Sequence, residues 1–298
     1  MYSFAHSTPK VGLALSGGAL RGIAHIGVLK ALEEEAIPVD MIAGTSAGAF
    51  MGACFAKSGS VARLQEVVSR IGWRKVAGLF DLNLMSLGKG FIHGRKIKSI
   101  LHSCIGDVEF EDLEIPFAAV AADCQTLEEV VISKGSVIEA VRSSISVPVI
   151  FTPVKWSDRF LIDGGVVNPL PVDIVRNMGA EIVVAVNVAT VPEPRKNGEY
   201  SSAARSKTHT GRGKIDCETP NIFNVLMRII RATAWERMQS AIKAADIVIS
   251  PDLSNMETSG LSRVDEAIMR GYRAAKAMLP QLQAIIYHSS LELLTCTA

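Results

Sequence analysis

Gly44-Thr45-Ser46-Ala47-Gly48 decides the fold of this chain, because it places a serine between two glycines where an apolar run gives way to small residues. Residues 40–43 predict a short buried strand, and residues 47–57, rich in Ala and Gly, predict a helix. A sharp strand-to-helix turn holds a serine hydroxyl clear of the backbone in a strained conformation. The pattern indicates a nucleophile elbow at Ser46. It also fits a turn whose serine only caps a helix.

A second glycine cluster follows the first predicted strand. Residues 11–15 predict a buried strand, residues 16–22 a glycine-rich loop and residues 23–35 a helix. Backbone N–H groups at a helix start, aimed by glycines, bind negative charge. In an acyl-transfer reaction that charge is an oxyanion. A phosphate is the other candidate, but the loop lacks the Gly-Lys-Ser/Thr ending of a nucleoside triphosphate site and does not match G-x-G-x-x-G.

A nucleophilic serine needs a general base, and the sequence offers two kinds. His209 and His288 follow Ser46 at distances compatible with a Ser, Asp, His order, but neither has a supporting motif. Asp163 ends a predicted strand and opens Asp163-Gly164-Gly165, where glycines permit close approach of another backbone or a serine. The other interpretation of Asp163 is an ordinary aspartate-glycine turn.

Three motifs in this order resemble those of the bacterial patatin-like phospholipases. They are Ser-Gly-Gly-x-x-Arg-Gly-x-Ala-His-Ile-Gly-Val-Leu at 16–29, Gly-Thr-Ser-Ala-Gly at 44–48, and Asp-Gly-Gly at 163–165 followed by Asn-Pro-Leu-Pro-Val. Weaker similarity runs through residues 143–151. The resemblance implies a Ser-Asp dyad, with Ser46 as the nucleophile and Asp163 as the base that acts on it directly.

The resemblance also assigns roles to the glycine loops. It implies an oxyanion hole made of the amides of Gly17, Gly18 and Ala19. Ala19 stands where the family has its third loop glycine, and an alanine is expected to avoid left-handed dihedrals. Arg21 is suited either to brace loop carbonyls or to orient a substrate phosphate. The other supporting residues of the two motifs are Gly22, Gly44, Gly48, Gly164 and Gly165.

A dyad without histidine requires a stronger base than a free aspartate. Burial raises a carboxylate pKa, so we expect Asp163 to lie in a dry site at the carboxyl ends of parallel strands. Dry, apolar surroundings favour lipid over short polar esters. The resemblance thus implies a serine lipid acyl hydrolase of phospholipase A or lysophospholipase type that forms a covalent acyl-enzyme. The chain has no familiar metal-binding motif, so we expect no metal, no other cofactor and no dependence on calcium.

Length and element order predict one domain of 298 residues, a patatin-like three-layer α/β/α sandwich with a mostly parallel central sheet. Residues 9–190 hold the motifs. The polar stretch 191–220 predicts a mobile loop, with a lid or a surface-docking arm as its functional alternative. Residues 221–298 predict helices and a strand, and the helix over 264–288 is expected to be interrupted at Pro280.

Charge and cysteine content limit the partners and the compartment. The formal net charge of +1 argues against nucleic acid. Basic residues near Phe91 suit a peripheral contact with an anionic membrane, or are an ordinary solvated face. Five scattered cysteines form no disulfide framework, and no signal peptide or transmembrane run is evident, so we expect a cytoplasmic protein. The oligomeric state is left open.

Two other classes of protein fit parts of this pattern. One is an α/β-hydrolase esterase that uses Ser46 with a histidine base. The other is a non-catalytic regulatory protein that binds an anion or a lipid at the glycine loop.

Overall fold

The structure is a computed structural model that describes residues 8–71, 94–148, 150–189, 222–253 and 263–296. The strands of this part of the chain are β1 (Val11–Leu15), β2 (Met41–Thr45), β3 (Phe117–Asp123), β4 (Glu129–Ile132), β5 (Val154–Trp156), β6 (Arg159–Asp163), β7 (Ile182–Val186) and β8 (Ile247–Ile249). The α-helices are α1 (Ala24–Glu34), α2 (Ala47–Ala56), α3 (Val61–Ile71), α4 (Gly94–Ile105), α5 (Val137–Ser144), α6 (Val172–Asn177), α7 (Ile222–Ala244) and α8 (Val264–Cys296).

The strands form one sheet whose hydrogen-bonded neighbours run β5-β6-β3-β2-β1-β7-β8. β2 and β6 pair with successive parts of one flank of β3, and β4 pairs with the other flank. The pairs β3-β2, β2-β1, β1-β7 and β7-β8 are parallel. β4 and β6 pair antiparallel with β3, and β5 pairs antiparallel with β6. The carboxyl ends of the parallel strands therefore share one edge, where β1 leads into the glycine loop and β2 into the serine elbow.

The sheet is buried on both faces. Successive strand residues point to opposite faces, and on β1 the side chains of Leu13 and Leu15 join one buried cluster while Ala14 joins another. The first cluster includes side chains of α1, α2, α5 and α8, and the second includes side chains of α6 and α7. Helices thus cover both faces of a central, mostly parallel sheet, which confirms the predicted α/β/α sandwich.

The element bounds agree with the sequence prediction to within about two residues, except at the C-terminal helix. The predicted strand 11–15 coincides with β1, whereas the strand before the elbow runs to Thr45. The interruption expected at Pro280 is wrong, because α8 continues through it. An interior proline costs about 3 kcal/mol or more. Leu279 and Leu282 on either side are buried, and their packing offsets that cost.

Close contact with α1 also holds α8 in place. A Cβ on Gly27 would lie 1.8 Å from the carbonyl oxygen of Ile268, and a Cβ on Gly271 would lie 2.0 Å from that of Ala24. The two helices therefore cross with their backbones touching, which only glycine allows at these positions. α8 is fixed in this way to the helix that follows the glycine loop.

The predicted loop 191–220 lies outside the described residues. Within the described ranges, none of the helices combines the length and the apolar run that a bilayer span requires.

Candidate active site

Ser46 stands at the turn between β2 and α2. Its φ of 55° and ψ of −119° are unusual for a residue with a side chain, and such a conformation costs on the order of 1–3 kcal/mol. A Cβ on Gly44 would lie 2.6 Å from the amide nitrogen of Ala49, and a Cβ on Gly48 would lie 2.2 Å from the carbonyl oxygen of Leu15. Both glycines are therefore required for space.

The sheet register brings Asp163 to this serine. Thr45, the last residue of β2, pairs with Val120 of β3, and Asp163, the last residue of β6, pairs with the adjacent Ala121. Since β4 occupies the other flank of β3 over residues 119–122, β2 and β6 lie on the same flank and meet end to end. The hydroxyl of Ser46 donates a hydrogen bond to Oδ2 of Asp163 at 2.6 Å.

Burial sets the basicity of the Asp163 carboxylate. Asp163 is 6% exposed and Ser46 is 8% exposed. Burial raises the pKa of Asp163 from 3.8 to about 6, against the opposing effect of hydrogen bonds from the Ser46 hydroxyl and the Gly165 amide. The Gly165 N–H donates to Oδ1 at 2.7 Å and leaves Oδ2 to the serine. The carboxylate is therefore held in one orientation and is a stronger base than a solvated aspartate.

The glycine loop after β1 flanks the serine, but its three predicted oxyanion donors are not equivalent. A Cβ on Gly17 would lie 3.3 Å from the Cβ of Ser46. The Gly17 N–H already donates to the carbonyl oxygen of Pro169 at 3.1 Å, and this bond fixes the loop. Among the described residues, no acceptor is found for the N–H groups of Gly18 and Ala19.

Ala19 was expected to avoid the left-handed region, but it lies there. Its φ is 51°, so the alanine adopts the conformation that the family's glycine would favour. The surrounding loop explains why this strain is tolerated, since the amide of Arg21 bonds to the Gly18 carbonyl at 3.1 Å and closes the turn. A Cβ on Gly18 would lie 2.7 Å from Cγ2 of Val188, which shows how tightly the loop packs.

The base of the loop is held by Ser16 and His25. The Ser16 hydroxyl donates to the Gly17 carbonyl and accepts the Val188 N–H, each at 2.9 Å. Nε2 of His25 lies 3.0 Å from the Ser16 carbonyl oxygen. His25 is fully buried, and burial lowers its pKa to about 4. It is a packed core histidine.

Two of the remaining predicted support residues, Gly22 and Gly164, allow close backbone contacts. Gly22 allows the loop to approach α2, because a Cβ there would lie 2.5 Å from the Cβ of Ala47. Gly164 allows the Asp163 turn to approach β3, because a Cβ there would lie 2.3 Å from the carbonyl oxygen of Val120. Arg21 is half-buried beside the loop, in the single-turn helix Ala19–Ile23.

None of the histidines in the described residues bonds to Ser46 or Asp163 to complete a Ser-His-Asp triad. His102 and His288 are exposed on α4 and α8, and His25 bonds to Ser16. No hydrogen bond in the described part of the chain joins a histidine to Ser46 or Asp163. His209, the other predicted candidate, lies outside the described residues.

The sequence analysis missed a group of serines at the end of α5. The Ser46 N–H donates to the Ser144 hydroxyl at 2.9 Å, and the Asp163 N–H donates to the Ser146 carbonyl at 2.9 Å. Arg142, which is 2% exposed, donates to the Ser146 hydroxyl at 2.5 Å. The only signal in the sequence was the weak similarity over 143–151, which carried no role.

Comparison with known proteins shows what this chain is similar to. Residues 13–176 match the family profile described as patatin-like phospholipase. Lysophospholipase nte1 of Aspergillus fumigatus is 29% identical over 284 residues, which cover 92% of this chain and 18% of the relative. Neuropathy target esterase sws of Drosophila melanogaster is 36% identical over 185 residues, which cover 60% of this chain and 13% of the relative. This chain thus spans less than a fifth of the length of these curated relatives.

A solved structure has a similar fold. VipD from Legionella pneumophila superimposes with a TM-score of 0.52 at 14% sequence identity, over 92% of this chain and 67% of that chain. The family profile extends from β1 to α6, and so includes the glycine loop, the serine elbow and the Asp163 turn. From this match over more than half of its length, the chain belongs to the patatin-like phospholipase family.

Proposed function

We propose that this chain hydrolyses carboxylic esters of glycerophospholipids or related lipids, as a phospholipase A or lysophospholipase. The observation that carries the proposal is the 2.6 Å hydrogen bond from the Ser46 hydroxyl to a buried Asp163 carboxylate. A serine is a weak nucleophile unless an adjacent base takes its proton. Here the base is in contact with the hydroxyl and has a pKa raised to about 6.

The first half of the reaction forms an acyl-enzyme. Asp163 Oδ2 takes the proton from Ser46 Oγ as this oxygen attacks the ester carbonyl carbon. The carbonyl oxygen becomes an oxyanion, for which the N–H groups of Gly18 and Ala19 are the available donors; one such donor contributes about 3 kcal/mol to the transition state. The tetrahedral intermediate collapses, Asp163 protonates the departing alcohol, and the acyl group stays on Ser46.

The second half restores the free enzyme. Asp163 takes a proton from a water molecule, whose oxygen attacks the acyl carbon. The bond from that carbon to Ser46 Oγ breaks, and the proton on Asp163 returns to the serine. A fatty acid leaves. Each step uses one proton and one carboxylate, so this scheme requires no metal ion or organic cofactor.

Three observations support a lipid as the substrate. Burial is the cause that raises the Asp163 pKa, and a site dry enough to do so suits an acyl chain better than a small polar ester. The family profile is that of phospholipases, and one relative is named a lysophospholipase. The groups named in this mechanism all lie within residues 9–190, which supports that segment as the catalytic core.

We further propose that the protein reaches its substrate by a peripheral contact with a lipid surface. The described cysteines, Cys54, Cys104 and Cys124, are free, which supports a reducing, cytoplasmic location. Of the basic residues predicted for such a contact around Phe91, Lys89 lies outside the described ranges, whereas Arg95, Lys96 and Lys98 lie on α4. Lys98 is exposed and forms an ion pair with Glu139 at 2.6 Å.

The test is hydrolysis of a phosphatidylcholine with two different acyl chains by the wild-type protein, Ser46→Ala and Asp163→Asn. We expect the wild type to release fatty acid and both variants to lose turnover while remaining folded. His288→Ala serves as the control and is expected to retain turnover. Loss of activity in that control would favour a Ser-His-Asp esterase, and no activity in the wild type would favour a non-catalytic binding protein.

A further inference from the structure

The hydroxyl of Ser144 occupies the junction where β2 and β6 meet. It accepts the Ser46 N–H at 2.9 Å and donates to the carbonyl oxygen of Val120 at 2.6 Å. Ser144 is fully buried. Its two bonds therefore connect the backbone of the nucleophile to β3 without any contribution from solvent.

The register of the sheet shows what this hydroxyl replaces. The Ile42 N–H of β2 bonds to the carbonyl oxygen of Pro116 at 2.9 Å, as expected in a parallel ladder. The same pattern, advanced by four residues on each strand, would join the Ser46 N–H to the Val120 carbonyl. Instead the Ser144 hydroxyl lies between these two groups and bonds to both. The ladder is thus opened by one hydroxyl group at the point where β2 must turn into the elbow.

The opening makes room for the base. Thr45 of β2 pairs with Val120, so the next residue of a longer β2 would pair with Ala121. In the structure Asp163 pairs with Ala121 instead. If the Ser46 amide bonded directly to Val120, the Ser46 peptide would have to move towards β3. The hydroxyl of Ser46 would then leave the orientation in which it contacts Asp163.

We propose that Ser144 is a positioning residue, whose hydroxyl bridge between Ser46 and Val120 holds the nucleophile in the orientation that donates to Asp163. The inference rests on the proposed function, since it assigns Ser144 a part in the same reaction. Ser144 itself touches no reacting atom. It acts on the backbone of Ser46, which holds a strained φ of 55° and needs an acceptor for its buried N–H.

The neighbouring residue provides a matched control. Ser143 is also fully buried on α5, but its hydroxyl bonds to the Glu139 carbonyl in its own helix at 2.8 Å. Ser143→Ala and Ser144→Ala remove the same atom from adjacent buried positions. Only the second change removes a bond to the dyad.

The experiment compares kcat, KM, the melting temperature and the rate of inactivation by a fluorophosphonate for these two variants and the wild type. We expect kcat and the inactivation rate of Ser144→Ala to fall about 10- to 100-fold, because small displacements of a nucleophile have effects of this size. KM should stay near the wild-type value, since no substrate contact is removed. Ser143→Ala should keep its kcat even where its melting temperature falls equally.

The pH dependence of kcat/KM provides a second test of the positioning role. The bond from Ser46 lowers the pKa of Asp163, so weakening that bond in Ser144→Ala should move the acid limb of the kcat/KM profile to higher pH. A purely structural role would lower stability without moving this limb. Equal kcat values and equal pH profiles in Ser143→Ala and Ser144→Ala would overturn the proposal.

Two further variants keep the result interpretable. If Ser144→Ala does not fold, Ser144→Cys takes its place, because the thiol is a weak donor and acceptor of similar size. The kcat of Ser144→Cys should be reduced and its KM unchanged. A wild-type kcat in this folded variant would count against the hydroxyl bridge.

Ser46→Ala is measured in parallel. Activity in Ser46→Ala would contradict the proposed function, whereas an inactive Ser46→Ala with a fully active Ser144→Ala would contradict only the positioning role.

Discussion

The buried carboxylate of Asp163 should make the protein less stable as it ionises. We predict that Asp163→Asn, which removes the charge and keeps the shape, gains stability relative to the wild type as the pH rises from 4 to 7. The folded-state pKa is about 6, above the ordinary value of 3.8. The folded protein therefore binds this proton more tightly than the unfolded chain does.

The sign and the size follow from this difference. Below about pH 4 the carboxyl is protonated in both states, and above about pH 6 it is ionised in both states. Between these limits the folded wild type retains the proton and the unfolded chain releases it, so the free energy of unfolding falls as pH rises. A difference of about two pKa units corresponds to about 3 kcal/mol.

The assay is denaturant unfolding of both proteins at intervals from pH 4 to pH 7. The difference in unfolding free energy should shift by about 2.5 kcal/mol in favour of Asp163→Asn across this range, because the unfolded carboxyl is already partly ionised at pH 4. Other titrating groups cancel in the difference. Ser46→Ala provides a second test, because it removes a hydrogen bond that lowers the Asp163 pKa. The fall in the free energy of unfolding with rising pH should therefore continue to a higher pH in Ser46→Ala than in the wild type. A difference between wild type and Asp163→Asn that does not change with pH would refute the reasoning.

Three other predictions follow from the site. Gly48→Ala should abolish folding or lower the melting temperature severely, because its Cβ would lie 2.2 Å from the Leu15 carbonyl oxygen; Gly52→Ala on the same helix meets only side-chain atoms at 3.1 Å or more and should be far milder by the same thermal melt. The kcat/KM of the wild type should decline below pH 6 as Asp163 is protonated, and a profile flat to pH 4 would contradict a carboxylate base of this pKa. Turnover should be equal with and without a calcium chelator, since the dyad supplies both nucleophile and base, and a chelator-sensitive rate would contradict that scheme.

The elements that carry the site were predictable because their signals are local. The apolar run at Val11–Leu15, followed at once by glycines, predicted β1 and its loop with correct bounds. The serine between Gly44 and Gly48 predicted the elbow. Each signal depends on residues within one turn or one strand, which is the range over which side-chain type and backbone geometry are directly coupled.

The features that the sequence did not predict depend on contacts between distant residues. The Ser144 hydroxyl meets the Ser46 amide across 98 positions of chain. The Gly17 amide, predicted as an oxyanion donor, donates a hydrogen bond to the carbonyl oxygen of Pro169 instead of pointing to an open position. Pro280 was expected to interrupt a helix by a local rule, and the burial of its neighbours outweighs that rule. In each case the partner is chosen by the sheet register or by packing, which no local pattern encodes.

The central claim is that Ser46 is the nucleophile and that Asp163 activates it by direct contact. Labelling by a fluorophosphonate, with mass mapping of the modified peptide and the labelling rate measured for wild type and Asp163→Asn, tests both parts at once. We predict a single label on Ser46 in the wild type, no label in Ser46→Ala and a rate in Asp163→Asn that is lower by several orders of magnitude. A label on another residue, or an undiminished rate in Asp163→Asn, would contradict the account.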